Sequence, residues 1–155
     1  MQTEPLDAEP LEVEPLDAEP LDAEPLDADT TSPMAEGRSA ATLGRYGEQL
    51  AVRYLREQGL EIVERNWRCE MGEIDIVALD GRCLVVCEVK TRRSTAFGPP
   101  IGQVTAAKLA RLRRLAAAWL REHDSHVDDV RIDVIGVLRP RRGPSQLEHL
   151  VSVAS

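Results

Sequence analysis

Two acidic residues and a lysine interrupt the apolar stretch GEIDIVALDGRCLVVCEVK, which begins at residue 72. Asp75 lies in its first half, and Glu88 and Lys90 lie in its second half. The central Asp80-Gly81 pair is a strong signal for a two-residue turn, so the stretch predicts a β-hairpin. Charged residues are unusual in strands this apolar, which indicates that the two acids and the lysine belong to one site.

The predicted hairpin brings the two acids together. Side chains alternate along a strand, so Glu88 and Lys90 share one face of the second strand. A two-residue turn at Asp80-Gly81 would make Asp75 and Glu88 diagonal neighbours on that face, roughly 7–8 Å apart at the backbone. A four-residue loop would place them directly opposite each other. Both arrangements predict that the carboxylates converge and that Lys90 follows along the same face.

Two interpretations account for such a pair of acids. Ionised carboxylates on a half-buried face repel each other and are costly to bury without a counter-charge. Mg²⁺ or Mn²⁺ would supply that charge, since hard divalent cations favour carboxylate oxygens, and it would lower the pKa of a bound water. The alternative is a structural ion cluster, in which Lys90 pairs with Glu88 and Asp75 caps the sheet edge. The spacing by itself favours neither.

The elements that would position these residues follow from apolar periodicity and turn residues. Apolar residues recur at three and four over 42–58, which predicts a helix ending at Gly59. A second helix is predicted over 104–122, after a loop interrupted by Gly98-Pro99-Pro100. Strands are predicted over 60–65, 73–79, 83–90, 131–138 and 146–153. The order α-β-β-β-α-β-β predicts an α/β fold with a mixed β-sheet flanked by helices.

An acidic repeat precedes the predicted domain. EPLDA, EPLEV and three more copies of EPLDA run from Glu4 to Ala28. Residues 1–36 hold 12 of the 27 acids and none of the 19 lysines and arginines, so residues 37–155 carry 15 acids and 19 bases, a formal net charge of +4. A proline at every fifth residue predicts a disordered tail ahead of one domain at 37–155. Met34 is an alternative start, in which case the repeat would not be translated.

Several classes of protein are excluded by what the sequence lacks. No apolar stretch approaches the roughly 20 residues of a transmembrane helix, and there is no secretory signal, so we expect a cytoplasmic protein without a membrane segment. Cys69, Cys83 and Cys87 fit neither a zinc spacing nor a disulfide framework. His123 and His126 have no partner cysteines. The sequence contains no P-loop, nucleophile elbow or dinucleotide fingerprint.

The wider motif pattern resembles a known family. Asp75 followed by Glu88-Val89-Lys90 resembles the D…ExK core of the restriction-endonuclease-like (PD-(D/E)xK) nucleases, with Ile74 where a proline often precedes the aspartate. The ordered motifs LGRYGEQLAVRYL, NWRCEMGEIDIVALDG, VCEVKTRRSTAFG, VTAAKLARLRRLAAAWL and RIDVIGV resemble the YraN-type family of bacterial predicted nucleases. The resemblance covers about residues 38–151. It implies a restriction-endonuclease-like fold related to Holliday junction resolvases.

The resemblance also implies roles for the matching residues. Asp75 would be the central metal ligand and Glu88 the second. Val89 would place its backbone carbonyl near the metal, and Lys90 would act as the catalytic base or as an electrostatic stabiliser. Glu48, on the first helix, matches the helix-borne acid that completes the metal site in related resolvases, and the alternative is a surface glutamate.

Two further acids lie within the matched motifs. Glu73 is expected to flank the metal site without binding the metal. Asp133 is expected to be a structural charge partner.

Basic residues lie around the predicted site. Arg92 and Arg93 follow Lys90 directly and would hold phosphates beside the metal, or else form a solvated end of the loop. The outward side of the long helix carries a basic stripe formed by Arg111, Arg114 and Arg121, which is expected to face the phosphates of a bound nucleic acid. Lys108, on the same helix, is a further candidate for nucleic-acid binding. Lys108 falls inside the apolar arc of the same helix. It either snorkels to solvent, which we favour, or reaches the acidic site.

The sequence leads to one main hypothesis and two alternatives. The main hypothesis is a Mg²⁺- or Mn²⁺-dependent endonuclease acting on DNA, with branched or recombination intermediates suggested by analogy with resolvases and with a homodimer able to cut two strands. The first alternative is a non-catalytic nucleic-acid-binding or adaptor module with a structural acidic cluster. The second is a protein-interaction domain that uses the acidic tail.

Overall fold

The computed structural model describes residues 10–13, 33–96, 98–102 and 104–153. Within these ranges the elements, in chain order, are β1 (Leu11–Val13), α1 (Pro33–Glu57), β2 (Glu61–Cys69), β3 (Gly72–Asp80), β4 (Cys83–Arg92), α2 (Ala106–Glu122), β5 (Asp129–Leu138) and β6 (Ser145–Leu150). The described strands form one sheet in the order β1-β6-β5-β4-β3-β2. β4 and β5 run parallel, and the other neighbouring pairs are antiparallel.

The predicted α/β class is confirmed, and the predicted order α-β-β-β-α-β-β follows an additional first strand, β1, with different boundaries. α1 begins at Pro33, well before the predicted start at 42, and β2 continues to Cys69. The prediction of a wholly disordered tail is wrong at β1, which pairs with the edge of β6 through Leu11 opposite Leu147. This copy of the repeat, EPLEV, has valine and glutamate where the other copies have alanine and aspartate. Valine favours strands, and aspartate and alanine do not. The prediction is also wrong at 33–36, which form the start of α1. Residues 1–9 and 14–32 of the predicted tail lie outside the described residues.

The two helices cover opposite faces of the sheet. On one face α1 packs on β3, β4 and β5 through a buried cluster that includes Leu50, Leu55, Ile76, Val85 and Ile135. On the other face α2 packs through a second buried cluster that includes Leu112, Leu115, Trp119, Leu84 and Val86. The predicted apolar arc of the second helix is confirmed by these contacts. The central strands are therefore buried on both sides, as their apolar sequences require.

The hairpin turn lies one residue later than predicted. Asp80 pairs with Cys83, so the central turn residues are Gly81 and Arg82. Gly81 adopts a φ of 59°. Tight hairpin turns need a positive φ at the first central position, and glycine meets that need without strain, so Gly81 takes the first position.

Close packing between α1 and β4 depends on one glycine. A Cβ built on Gly47 would lie within 3 Å of the Cβ and Oγ1 atoms of Thr91. Gly44, on the same helix, has no heavy atom within 4 Å of an added Cβ. Gly47 therefore lets α1 approach the strand that carries Glu88 and Lys90, and it precedes Glu48 in the chain.

We expect Gly47→Ala to lower the free energy of unfolding by about 1–3 kcal/mol, because the added methyl must push α1 away from Thr91. The matched control, Gly44→Ala, is expected to raise it by about 0.5–1 kcal/mol, since alanine is the better helix former in open space. Urea denaturation of both variants measures the difference. Equal effects of the two substitutions would contradict the close approach.

Candidate functional site

The candidate site lies where β3 and β4 separate. Their ladder runs from Asp80 and Cys83 to Ile76 and Cys87, and the next pair in this register would be Asp75 and Glu88. Beyond the ladder, Asp75 Oδ2 accepts a hydrogen bond from the Val89 amide at 2.8 Å. The prediction that the two acids come close together is confirmed by the electrostatic repulsion between them, although they do not form a pair of the β3–β4 ladder.

A backbone irregularity lets the Asp75 side chain lie in the gap between the strands. Ile74 and Val77, three residues apart, belong to the same buried cluster on the α2 face, so strict alternation is broken between them. The irregularity coincides with Asn66 of β2, which lies opposite Asp75 in the register and has a φ of 53°. The simple alternation that put Asp75 on the same face as Val77 was wrong here. Asp75 instead reaches the backbone of β4.

The environment of Asp75 disfavours its charged form. Burial raises its pKa, and repulsion from Glu88, Glu48 and Glu73 raises it further, whereas the hydrogen bond from Val89 lowers it. The result is a pKa of about 6 against an ordinary value of 3.8. Carboxylates in a cleft with a pKa raised by burial and by like charges are typical of functional sites.

Glu88 is balanced by two ammonium groups. Its carboxylate is almost fully buried, and Oε1 lies 3.1 Å from Lys108 Nζ and 3.4 Å from Lys90 Nζ. The prediction that Lys108 snorkels to solvent is wrong, because α2 crosses the sheet with its first turn close to β4 and the Lys108 ammonium reaches Glu88. Lys108 is therefore part of the acidic site.

The start of α2 holds Lys108 in this position. Thr105 is the N-cap, and its hydroxyl accepts a hydrogen bond from the Lys108 amide at 3.2 Å. The first turn of α2 contains no acidic residue. A cation in the first turn of a helix is disfavoured by the helix dipole, by typically 0.3–1 kcal/mol. The ion pair with Glu88 compensates for that placement.

The remaining predicted ligands lie around this pair. Glu48 is half-buried on α1 and close enough to raise the pKa of Asp75. Glu73 is exposed and pairs with Arg68 at 3.1 Å, which fits the flanking role expected for it. The N–H and C=O groups of a strand residue point to the same side, so the Val89 carbonyl faces the gap next to Asp75.

The donor set suits a hard cation, although it is not a closed metal cage. In the described residues no three His, Cys, Asp or Glu side chains are arranged to hold one ion. Mg²⁺, however, is commonly held by one or two carboxylates, with waters and substrate phosphates as the other ligands. Asp75, Glu88 and the Val89 carbonyl are the oxygen donors that would form such a partial shell. Without an ion, the Lys108 ammonium supplies positive charge beside Glu88.

Lys108 and a divalent cation would compete for Glu88, which gives a direct prediction. We expect Lys108→Met to tighten Mn²⁺ binding by about tenfold, which is about 1.4 kcal/mol, because Glu88 loses one ammonium partner and the local positive charge falls. Isothermal titration calorimetry measures the change. The matched control is Arg111→Gln, which removes one exposed charge from the same helix. Unchanged or weaker binding in Lys108→Met would show that its ammonium does not compete with the ion.

The predicted phosphate-binding residues occupy two places. Arg92 ends β4 and is exposed, and Arg93 follows it and is half-buried. Arg111 and Arg114 lie on the exposed side of α2, as the helical pattern predicted. Each pair of arginines follows a lysine that contacts Glu88. Arg92 and Arg93 come after Lys90, and Arg111 and Arg114 come after Lys108.

His123 and the three cysteines have structural contacts. His123 stacks on Trp119 with ring centroids 4.1 Å apart, and its Nε2 lies 3.0 Å from Glu64. The three cysteines form no disulfide, and Cys87 is fully buried. Burial raises the pKa of the Cys87 thiol well above its ordinary value, so it is not a nucleophile.

A buried polar network joins β5 to β6. Of its members, only Asp133 was predicted from the sequence. Asp133 is fully buried and accepts from Arg131 Nε at 2.9 Å and from the Ser152 amide at 3.0 Å, and it lies 2.8 Å from His149 Nε2. His149 Nδ1 lies 3.3 Å from the Tyr54 hydroxyl. This confirms Asp133 as a structural charge partner. The two-residue spacing of Arg131 and Asp133 was a usable signal, since such residues share a strand face.

The fold and the site define an α/β protein of the nuclease-like architecture, with a mixed sheet, a helix on each face and acids where two strands separate. The model of the uncharacterised protein family UPF0102 matches residues 47–137. The chain belongs to this family, which is the YraN-type family that its motifs resemble.

Relatives match over nearly their whole length. A UPF0102 protein from Beutenbergia cavernae is 60% identical over 116 residues, which cover 75% of this chain and 98% of the relative. A UPF0102 protein from Kineococcus radiotolerans is 51% identical over 122 residues, covering 78% and 100%. One from Streptomyces griseus is 57% identical over 113 residues, covering 72% and 95%. None of the helices in the described part of the chain has the length and apolar character needed to cross a membrane.

Proposed function

We propose that the protein is a Mg²⁺- or Mn²⁺-dependent endonuclease that acts on DNA phosphodiesters. The observation that carries the proposal is the placement of Asp75 close to Glu88 at the end of the β3–β4 ladder. Lys90 and Lys108 lie within 3.4 Å of the Glu88 carboxylate at the same point. Acids for a divalent cation and cations for a phosphate are thus next to each other.

Each residue has a definite task in this proposal. Asp75, Glu88 and the Val89 carbonyl hold the ion, and Glu48 adds negative potential from α1. The ion, when bound, would polarise a phosphodiester and lower the pKa of a bound water. Lys90 leaves Glu88 and neutralises the negative charge that develops on the phosphate. Arg92, Arg93, Arg111 and Arg114 hold neighbouring phosphates.

The competing candidate is a nucleic-acid-binding or adaptor module without catalysis. The observation that favours it is that the two ammonium groups already neutralise Glu88, so a structural ion cluster accounts for the same contacts. In that case Lys108 and Lys90 would stay on Glu88 when nucleic acid binds. The two candidates differ in whether a divalent cation changes the DNA.

Incubation of the full chain with labelled single-stranded, duplex and branched DNA, with Mg²⁺ or Mn²⁺, tests the proposal. The wild type is expected to cleave at least one of these, and Asp75→Asn is expected to cleave about 10²–10³-fold more slowly or not at all while still binding. Asp128→Asn, an exposed aspartate paired with Arg82 at the far end of the hairpin, is the matched control and should retain activity. Equal cleavage by wild type and Asp75→Asn would contradict a role for Asp75 in cleavage, and absence of cleavage by the wild type would favour the adaptor.

The same panel also addresses the finer parts of the proposal. Preference for branched DNA would support action on recombination intermediates, and paired cuts in the two strands would support a homodimer. The proposal includes a cytoplasmic location, where a bacterial protein would meet chromosomal DNA.

A further inference from the structure

Several arginines gather at the end of the sheet where β4 and β5 finish. We call them the strand-end arginines: Arg92, Arg93, Arg139, Arg141 and Arg142. β4 and β5 are parallel, with Arg92 opposite Leu138, so the two strands end side by side. The Arg139 amide donates to the Arg92 carbonyl at 2.8 Å. The turn after β5 is thereby tied to the end of β4.

The strand-end arginines differ in their ion pairing from other arginines of the described residues. Elsewhere in the structure Arg82 pairs with Asp128, and Arg131 pairs with Asp80 and Asp133. Among the described residues no carboxylate forms an ion pair with any strand-end arginine. A surface that concentrates one sign of charge attracts partners of the opposite sign.

One member of the group is held rigidly, unlike the cations of an ordinary solvated turn. The Arg139 guanidinium lies 3.7 Å from the centroid of the Tyr46 ring. Tyr46 is buried, and its hydroxyl lies 2.9 Å from the buried Ser145 hydroxyl, at the start of β6. A cation fixed in this way loses little side-chain entropy when a partner binds.

The strand-end arginines continue directly from the candidate site. Arg92 follows Glu88 by four residues along β4. At about 3.3 Å per residue, the two lie roughly 13 Å apart along the strand. A duplex rises about 3.4 Å per nucleotide, so this distance corresponds to roughly four nucleotides of one strand.

We infer that the strand-end arginines bind the phosphate backbone of a nucleic acid several nucleotides away from the phosphodiester at the acidic site. The position relative to a cut phosphodiester rests on the proposed function, whereas the binding itself does not. Guanidinium groups form paired hydrogen bonds with phosphate oxygens, and contacts of this kind set the position of a nucleic acid without reading its sequence. Arg139, Arg141 and Arg142 thus join the predicted Arg92 and Arg93 in one binding surface.

The test is DNA binding by the full chain without divalent metal, so that cleavage plays no part. Fluorescence anisotropy with a short labelled duplex, between 50 and 200 mM salt, gives the affinity and its salt dependence. The double variant Arg141→Gln/Arg142→Gln is expected to lower the steepness of the log–log salt dependence by about 2, since each phosphate contact contributes about 0.9. Affinity at the lowest salt should fall at least several-fold, to a similar extent for duplexes of different sequence.

The matched control is Arg56→Gln/Arg65→Gln, which removes the same charge from exposed positions on α1 and β2. It is expected to change the salt dependence little. Equal effects of the two double variants, or a wild type that does not bind the duplex even at low salt, would overturn the inference. The cleavage experiment described above separates this inference from the proposed function. DNA binding that depends on Arg141 and Arg142, without cleavage in that experiment, would support this surface and contradict the proposed nuclease. Cleavage there, with DNA binding unaffected by Arg141→Gln/Arg142→Gln, would support the nuclease and contradict this surface.

Discussion

Replacing Asp75 with asparagine is expected to raise the free energy of unfolding of the metal-free protein by about 2–3 kcal/mol at pH 7.5. The reason is that burial and three neighbouring acids raise the pKa of Asp75 from 3.8 to about 6. At pH 7.5 the folded protein must hold this carboxylate charged in an unfavourable place. Asparagine removes the charge and keeps an oxygen that accepts the Val89 hydrogen bond.

The pH dependence of this effect follows from the direction of the shift. Between pH 4 and pH 6 the folded protein retains a proton on Asp75 that the unfolded chain has lost, so the stability of the wild type falls as the pH rises. Above pH 6 the loss is complete, and below pH 4 it is absent. The gain from Asp75→Asn should therefore appear between pH 4 and pH 6 and stay constant above.

Urea denaturation in a chelating buffer at several pH values measures the effect. Asp128→Asn, which changes an exposed aspartate in an ion pair with Arg82, is the matched control and should show little change. Destabilisation by Asp75→Asn at pH 7.5 would mean that Asp75 stabilises the fold, as expected for a structural ion cluster. A gain in stability would mean that the fold carries Asp75 at a cost, which is typical of functional sites.

Replacing Asp133 with alanine is expected to have the opposite effect and lower the free energy of unfolding by about 3–5 kcal/mol at pH 7. Asp133 is fully buried, and its loss leaves His149 and the Ser152 amide without their acceptor. Arg131 would keep only its contact with Asp80 at 3.0 Å. β6 would then be held less firmly to β5.

The effect of Asp133→Ala should shrink in acid. Burial alone would raise the pKa of Asp133, but hydrogen bonds from His149, Ser152 and Arg131 outweigh burial and lower it below its ordinary value. A lowered pKa means that Asp133 contributes its full stabilisation above about pH 4, and that the contribution is lost as the pH falls through the folded pKa. Urea denaturation from pH 7 downward tests this. A constant difference between wild type and variant at all pH values would contradict a charged Asp133.

The convergence of Asp75 and Glu88 could be predicted from the sequence despite an error in the hairpin register. The observed pairing differs from the predicted one by two residues, and a shift of two leaves each side chain of β4 on the same face. What failed was the alternation along β3, which is broken at the point opposite Asn66, a residue with a positive φ in the neighbouring strand. The short polar side chain of asparagine permits a positive φ. The sequence alone does not predict which asparagine adopts one.

The role of Lys108 could not be decided from the sequence. Helical periodicity placed it correctly within the apolar arc of α2, and this is why snorkelling was the natural expectation. The contact with Glu88 depends on where α2 crosses the sheet, and that crossing is set by the long-range packing of Leu112 and Leu115 on the central strands. The same limit explains why His149 was missed, since its contact with Asp133 exists only once β6 pairs with β5.

Calorimetric titration of the full chain with Mn²⁺ and Mg²⁺, with and without a short DNA duplex, shows whether Asp75 and Glu88 hold a divalent cation. Wild type, Asp75→Asn, Glu88→Gln and the control Asp128→Asn are compared. We expect the wild type and the control to bind the ion, and both site variants to lose that binding. Absence of binding by the wild type under all conditions, or binding that survives both site substitutions, would contradict a metal site at Asp75 and Glu88.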